Sequence, residues 1–200
     1  MTAKDKGTEE LIKETAKRIF FTEGKFNATT QEIADAAGVN RTLLHYYFRS
    51  RDILLEKVII EGHQEFKQKM SEEVNPDFTF KEKVGHIIDM WIDHAKKYPY
   101  LDAYLASQIH NSQMVDNIHA KRKPDEEMVQ TFFAEMQVEM DKGNIPQMDH
   151  YQFLLNIISL VSYPLTMRPL LEKGLELSKK SYNKLIAERK DAILKTIFRK

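Results

Sequence analysis

The residues best suited to chemistry in this 200-residue sequence are its seven histidines and a short run of arginines. Histidines and carboxylates at helical spacing can hold a metal. However, HExxH is absent, and no Glu stands three residues before a His as a di-iron bundle requires. Asp116 and His119 have an acid–His spacing of that kind, and one pair is not a site. His63, His86, His94, His110 and His150 are scattered and read as surface or hydrogen-bonded structural groups. With no cysteine, no glycine-rich phosphate loop and no GxSxG, the common nucleophilic chemistries lack their residues. The sequence therefore offers no catalytic residue, no metal site and no cofactor, and an enzyme is the weaker class.

The arginines point elsewhere. Between Ala36 and Arg51 the charged residues are Arg41, Arg49 and Arg51, with His45 among them and no acid, a positive island suited to phosphates. The whole chain is neutral, with 30 basic and 30 acidic residues, so any nucleic-acid footprint must be local. Even residues 1–60 carry only 10 Lys and Arg against 9 Asp and Glu. That balance keeps open a helical interaction module that does not bind DNA.

The elements that must position these groups read as helices throughout. A composition of 42% hydrophobic and 30% charged residues with 7 Gly and 6 Pro suits a folded, helix-rich chain, and strand-like alternation is absent. Thr8 is a candidate N-cap for a first helix with Leu11, Ile12, Thr15, Ala16, Ile19 and Phe20 on its apolar face and Gly24 as its stop. Thr29 and Glu32 form a capping-box pair for a short second helix ending at Gly38. Asn40 caps a third, running to about Tyr47. Ser50 opens a fourth, and Asn75 with Pro76 breaks it.

Long helical patterns follow: Phe80 to Ala95, Tyr100 to Ile109, and one starting near Pro124 and Asp125 that Gly143 and Pro146 close. Another starts at Phe153 and is kinked or divided by Pro164 and Pro169, and Tyr182 to Ile197 forms the last. No apolar stretch approaches the roughly 18 residues of a membrane helix, and together with the lack of cysteine this leads us to expect a cytoplasmic protein.

Two short helices across a glycine-containing turn, Thr29 to Phe48, form the helix-turn-helix pattern, whose second helix enters the DNA major groove. If Leu44 faces inward, helical geometry places Phe48 near it and turns Thr42, His45 and Tyr46 outward, with Leu43 at the side. The stretch TTQEIADAAGVNRTLLHYYFRSRDILL, Thr29 to Leu55, resembles the head of TetR-type regulators, the tetracycline-repressor family. Phe20, Gly24, Thr30, Ile33, Ala34, Gly38, Val39, Leu44, Tyr47, Phe48, Ser50 and Leu54 stand where that family places its framework residues. Leu43 and His45 depart from it, because many members carry a hydroxyl residue and a tyrosine there.

The resemblance implies an all-α protein: a three-helix DNA-binding head, residues 1–50, on a larger helical body, residues 51–200, that binds ligand and forms a homodimer. It further implies a transcriptional regulator, by the family's habit a repressor, released from a palindromic operator in double-stranded DNA by a small-molecule effector. Arg41, Thr42, Leu43 and Tyr46 are candidates for base edges, with Leu43 able to touch a thymine methyl. Thr30, His45, Tyr47 and Arg51 are candidates for phosphate oxygens. Trp91, His94, Tyr104, Gln108, Phe132, Met136, Phe153, Asn156 and Tyr163 mix apolar bulk with a few polar groups in a manner suited to an effector pocket.

Overall fold

The computed structural model describes residues 3–73, 75, 77–107, 116 and 126–199, and every regular element among them is helical. The predicted start at Pro124 and Asp125, and the end of the Tyr100 to Ile109 segment, lie outside the described residues. In chain order the helices are α1 (Ala3–Lys17), continued by a π-helical turn (Arg18–Thr22), then α2 (Thr30–Ala36), α3 (Arg41–Phe48) and α4 (Arg51–Glu73). After these come α5 (Phe80–Lys97), α6 (Leu101–Ser107), α7 (Glu126–Asp141), α8 (His150–Thr166), α9 (Arg168–Gly174), α10 (Lys179–Ala187) and α11 (Arg189–Ile197). No single described helix is long and apolar enough to cross a membrane.

The described residues form two compact units, one up to Gln68 with Lys97–Ser107, the other Lys69–Lys96 with 126–199. In the first, Ile12, Ala16, Ile19 and Phe20 of α1 and its π-turn bury against Ile33, Ala34, Leu44, Phe48, Leu54, Leu55 and Val58. Two details of α1 differ from the sequence pattern. The helix begins at Ala3 and takes Thr8 into its interior, because Gly7 alone is too weak a breaker to stop it. Leu11 stands half exposed beside the buried stripe.

Among the described residues three ion pairs join α1 and α4: Lys57 to Glu9 at 2.5 Å, Lys13 to Glu61 at 2.7 Å and Lys17 to Glu65 at 3.3 Å. Each pair spans 48 residues and the rungs step by four along both helices, which requires α1 and α4 to run parallel. Burial pulls the pKa of the Lys17 ammonium down, but Glu14 and Glu65 outweigh it and leave it raised, so this buried lysine stays charged.

In the second unit Phe80, Val84 and Ile88 of α5, Phe133, Met136 and Met140 of α7, Phe153 and Ile157 of α8 and Ile193 of α11 share one core. α7 ends as expected at Gly143, at φ +75°, with Gly143 N–H donating to Met140 O and Asn144 N–H to Glu139 O. The two prolines act as the sequence suggests. Pro169 lies in the first turn of α9, and the axes of α8 and α9 bend by 71°. Pro164 sits inside α8 and has no N–H to give the Leu160 carbonyl four residues back; Arg189 Nε donates to that oxygen instead, at 2.8 Å. Tyr182 donates its hydroxyl to Pro164 O at 2.7 Å. The expected single last helix is two, α10 and α11, meeting at Glu188 beside this Arg189 contact.

Candidate nucleic-acid interface

The helix-turn-helix is built by local hydrogen bonds. Thr29 Oγ1 accepts from Glu32 N–H at 3.2 Å while the Glu32 carboxylate accepts from Thr29 N–H at 2.7 Å, a complete capping box at the start of α2. The Thr29 backbone N–H and, after it, the Thr29 hydroxyl, both donating to that carboxylate, hold the Glu32 pKa below the usual carboxylate range. α2 stops in a Schellman arrangement: Gly38 at φ +66°, its N–H on Asp35 O, and Val39 N–H on Ala34 O. Only a residue without Cβ takes that φ cheaply, so Gly38 makes the turn between the two helices. Asn40 Oδ1 then accepts from Leu43 N–H at 2.7 Å and starts α3.

α3 has the orientation the spacing predicts. Leu44 and Phe48 are each 1% exposed and belong to the core of the first unit. Arg41, Thr42, His45 and Tyr46 face outward, Leu43 is half-buried at the edge, and Tyr46 is 75% exposed. Tyr47 packs its ring partly against the core. The exposed face thus offers a guanidinium, a hydroxyl, an imidazole and a phenol in two turns of helix, a set able to donate and accept at base edges and phosphates. Thr30 is half-buried in the first turn of α2, and Arg49, outward after α3, takes φ 31° where the chain turns into α4.

Arg51 departs from its expected place. Its guanidinium turns inward: Nε donates to Ala28 O at 2.9 Å, Nη2 donates to Phe26 O, and Nη1 pairs with Asp52. The guanidinium also lies 5.0 Å from the centre of the Phe20 ring. Carbonyls and an aromatic face hold this group, so it is not aimed at a phosphate.

The residues expected around one pocket are divided between the two units. Tyr104 belongs to the first unit, 1% exposed, its ring 5.2 Å from Phe26 and 6.0 Å from Phe21. Burial raises the pKa of its hydroxyl, with Arg51 opposing that rise. Tyr163 lies on the surface, Met136 fills the second core, and Trp91 and Phe132 pack against that core. His94 is half-buried, and Gln108 lies outside the described residues. Phe153 and Asn156 of the set line a cavity of about 290 Å³ within the second unit, together with Pro146, Met148, Ser159, Leu160, Thr196 and Ile197. No group of three or more His, Asp or Glu suited to a metal occurs among the described residues.

Comparison with known proteins adds to this geometry. Residues 12–58 match the family model of bacterial regulatory proteins of the tetR family. Among curated proteins none matches. Solved structures share the fold. The transcriptional regulator FadR from Bacillus subtilis in complex with stearoyl-CoA is 17% identical, with 94% of this chain and 98% of that one covered at a TM-score of 0.63. The fatty acid degradation regulator FadR from Bacillus halodurans is 18% identical, with 93% and 94% covered at 0.62. A TetR family transcription regulator from Marinobacter aquaeolei VT8 is 11% identical, with 99% of each chain covered at 0.65.

Proposed function

We propose, from the match of residues 12–58 to the family model of bacterial regulatory proteins of the tetR family, that this chain is a sequence-specific transcriptional repressor. It binds a palindromic operator in double-stranded DNA and leaves it when a small molecule binds the body. The observation that carries the reading is α3 itself: Leu44 and Phe48 fasten one side into the core while Arg41, Thr42, His45 and Tyr46 face outward. In this reading Arg41, Thr42, Leu43 and Tyr46 contact base edges, and Thr30, His45 and Tyr47 contact phosphates. The functional division falls at residues 50 and 51, and the protein acts in the cytoplasm with its DNA.

A homodimer supplies the two-fold symmetry of such an operator. The exposed stripe Tyr151, Leu155 and Ile158 on α8 and the exposed Leu185 on α10 are apolar surface that a second copy would cover. The cavity at Phe153 and Asn156 suits an effector with an apolar body and a hydrogen-bonding end, because Met148, Leu160 and Ile197 share its lining with Ser159 and Thr196.

Selection of bound fragments from random DNA tests the whole reading. We expect a palindromic consensus and salt-dependent binding by a dimer, and recovery of no consensus by the intact protein would overturn it.

A further inference from the structure

Arg51 is the first residue of α4, directly after the helix-turn-helix, while Phe26 and Ala28 directly precede it. One guanidinium therefore fastens the two ends of the 29–50 segment to each other, through Ala28 O at 2.9 Å and through Phe26 O. The fastening point is itself held. Phe26 meets Tyr104 edge to face and Tyr100 likewise, and the Tyr104 hydroxyl adjoins the Arg51 guanidinium. At Gly24 a Cβ would come within 3.1 Å of the Tyr100 ring, so the loop before α2 sits close on the start of α6. The guanidinium lies over Phe20 at the base of this arrangement.

We propose that Arg51 is a positioning residue for operator binding: a clasp that closes the helix-turn-helix on itself and sets how α3 is presented, without touching a phosphate. This rests on the reading of α3 as the DNA-contacting helix. The chemistry separates a clasp from a phosphate ligand. A guanidinium can direct parallel donors to two carbonyls while stacking on a ring, whereas an ammonium is a point charge that would serve a phosphate about as well.

The experiment compares wild type, Arg51→Lys and Arg51→Met on the selected DNA consensus across a salt series, with thermal melts alongside. As a clasp, both variants lose about tenfold or more in affinity, and the slope of log affinity against log salt stays at the wild-type value. Near wild-type affinity in Arg51→Lys, with a weaker and less salt-dependent Arg51→Met, would overturn the proposal in favour of a phosphate contact. If Arg51→Met does not fold, Arg51→Lys against wild type decides alone. Should wild type bind no DNA, the fault lies with the assigned function. Amide exchange then decides the clasp: faster exchange over residues 23–31 in Arg51→Lys supports it, and unchanged exchange overturns it.

Discussion

The Tyr46 ring meets the Tyr47 ring edge to face, with centroids 5.3 Å apart and planes at 81°. Tyr47 leans on the core and Tyr46 projects from it, so a buried neighbour steadies an exposed aromatic group on the reading face.

Replacing Tyr46 with Ala should therefore cost operator affinity by about 1–3 kcal/mol, concentrated at particular base pairs, while the melting temperature stays within a few degrees of wild type. Leu44→Ala, two residues away, should do the reverse in origin: a stability loss of about 2–5 kcal/mol from a cavity in the core. Gel shifts on single-base operator variants, run beside urea melts, separate the two effects.

Acid should loosen the head and the start of α5 through two carboxylates. Glu32 is held below its usual pKa by the backbone and side chain of Thr29, and Glu82 by the side chain and backbone of Thr79 in a second capping box. A depressed folded-state pKa contributes stability that is present above the ordinary carboxylate value and is lost as pH falls through the folded one. Melting temperatures should fall below about pH 4.5, and the double variant Glu32→Gln with Glu82→Gln should show a shallower acid slope. Melts at several pH values on both proteins check this.

Arg189→Ala should destabilise the second unit by about 1–3 kcal/mol, because it leaves the Leu160 carbonyl without the donor that replaces the missing proline N–H. Adding Pro164→Ala restores that N–H, so the loss from Arg189→Ala should shrink in the Pro164→Ala background. A double-mutant cycle by chemical denaturation reads the coupling directly.

Exchanging the charges of one rung between α1 and α4 tests the ion pairs. Glu9→Lys and Lys57→Glu singly should each destabilise, and the pair together should recover about 0.2–1 kcal/mol relative to additivity. The recovery should diminish at 1 M salt, where the screening length falls to about 3 Å.

What the sequence discloses follows the reach of each interaction. Thr29 with Glu32, Asn40, Gly38 and Gly143 act within four residues, and each is a cap or stop where its type suggests. The inward side of α3 follows from helical period alone. Arg51 is different: its partners Phe26 and Ala28 lie 25 and 23 residues back, and they offer backbone carbonyls that no residue type announces. The aromatic character of Tyr104 is equally at home in either core, and only the fold assigns it to the first. The Thr79 and Glu82 pair had the same spacing as the first capping box and was readable on that ground. The bend at Glu188 carries no proline or glycine and so leaves no local mark.

The ladder between α1 and α4 also bears on chain entropy and register. Each rung closes a segment of the same 48-residue separation, and whichever forms first bears most of the cost of bringing those distant ends together. The remaining rungs then close on ends already held one helical turn away. A slip of one turn is opposed by the same pattern: in one direction Glu9 would face Glu61, and in the other Lys13 would face Lys57. Acid–base–base along α1 against base–acid–acid along α4 pairs all three rungs in this alignment alone, and so favours it for the segment that carries α2 and α3 before any DNA is present.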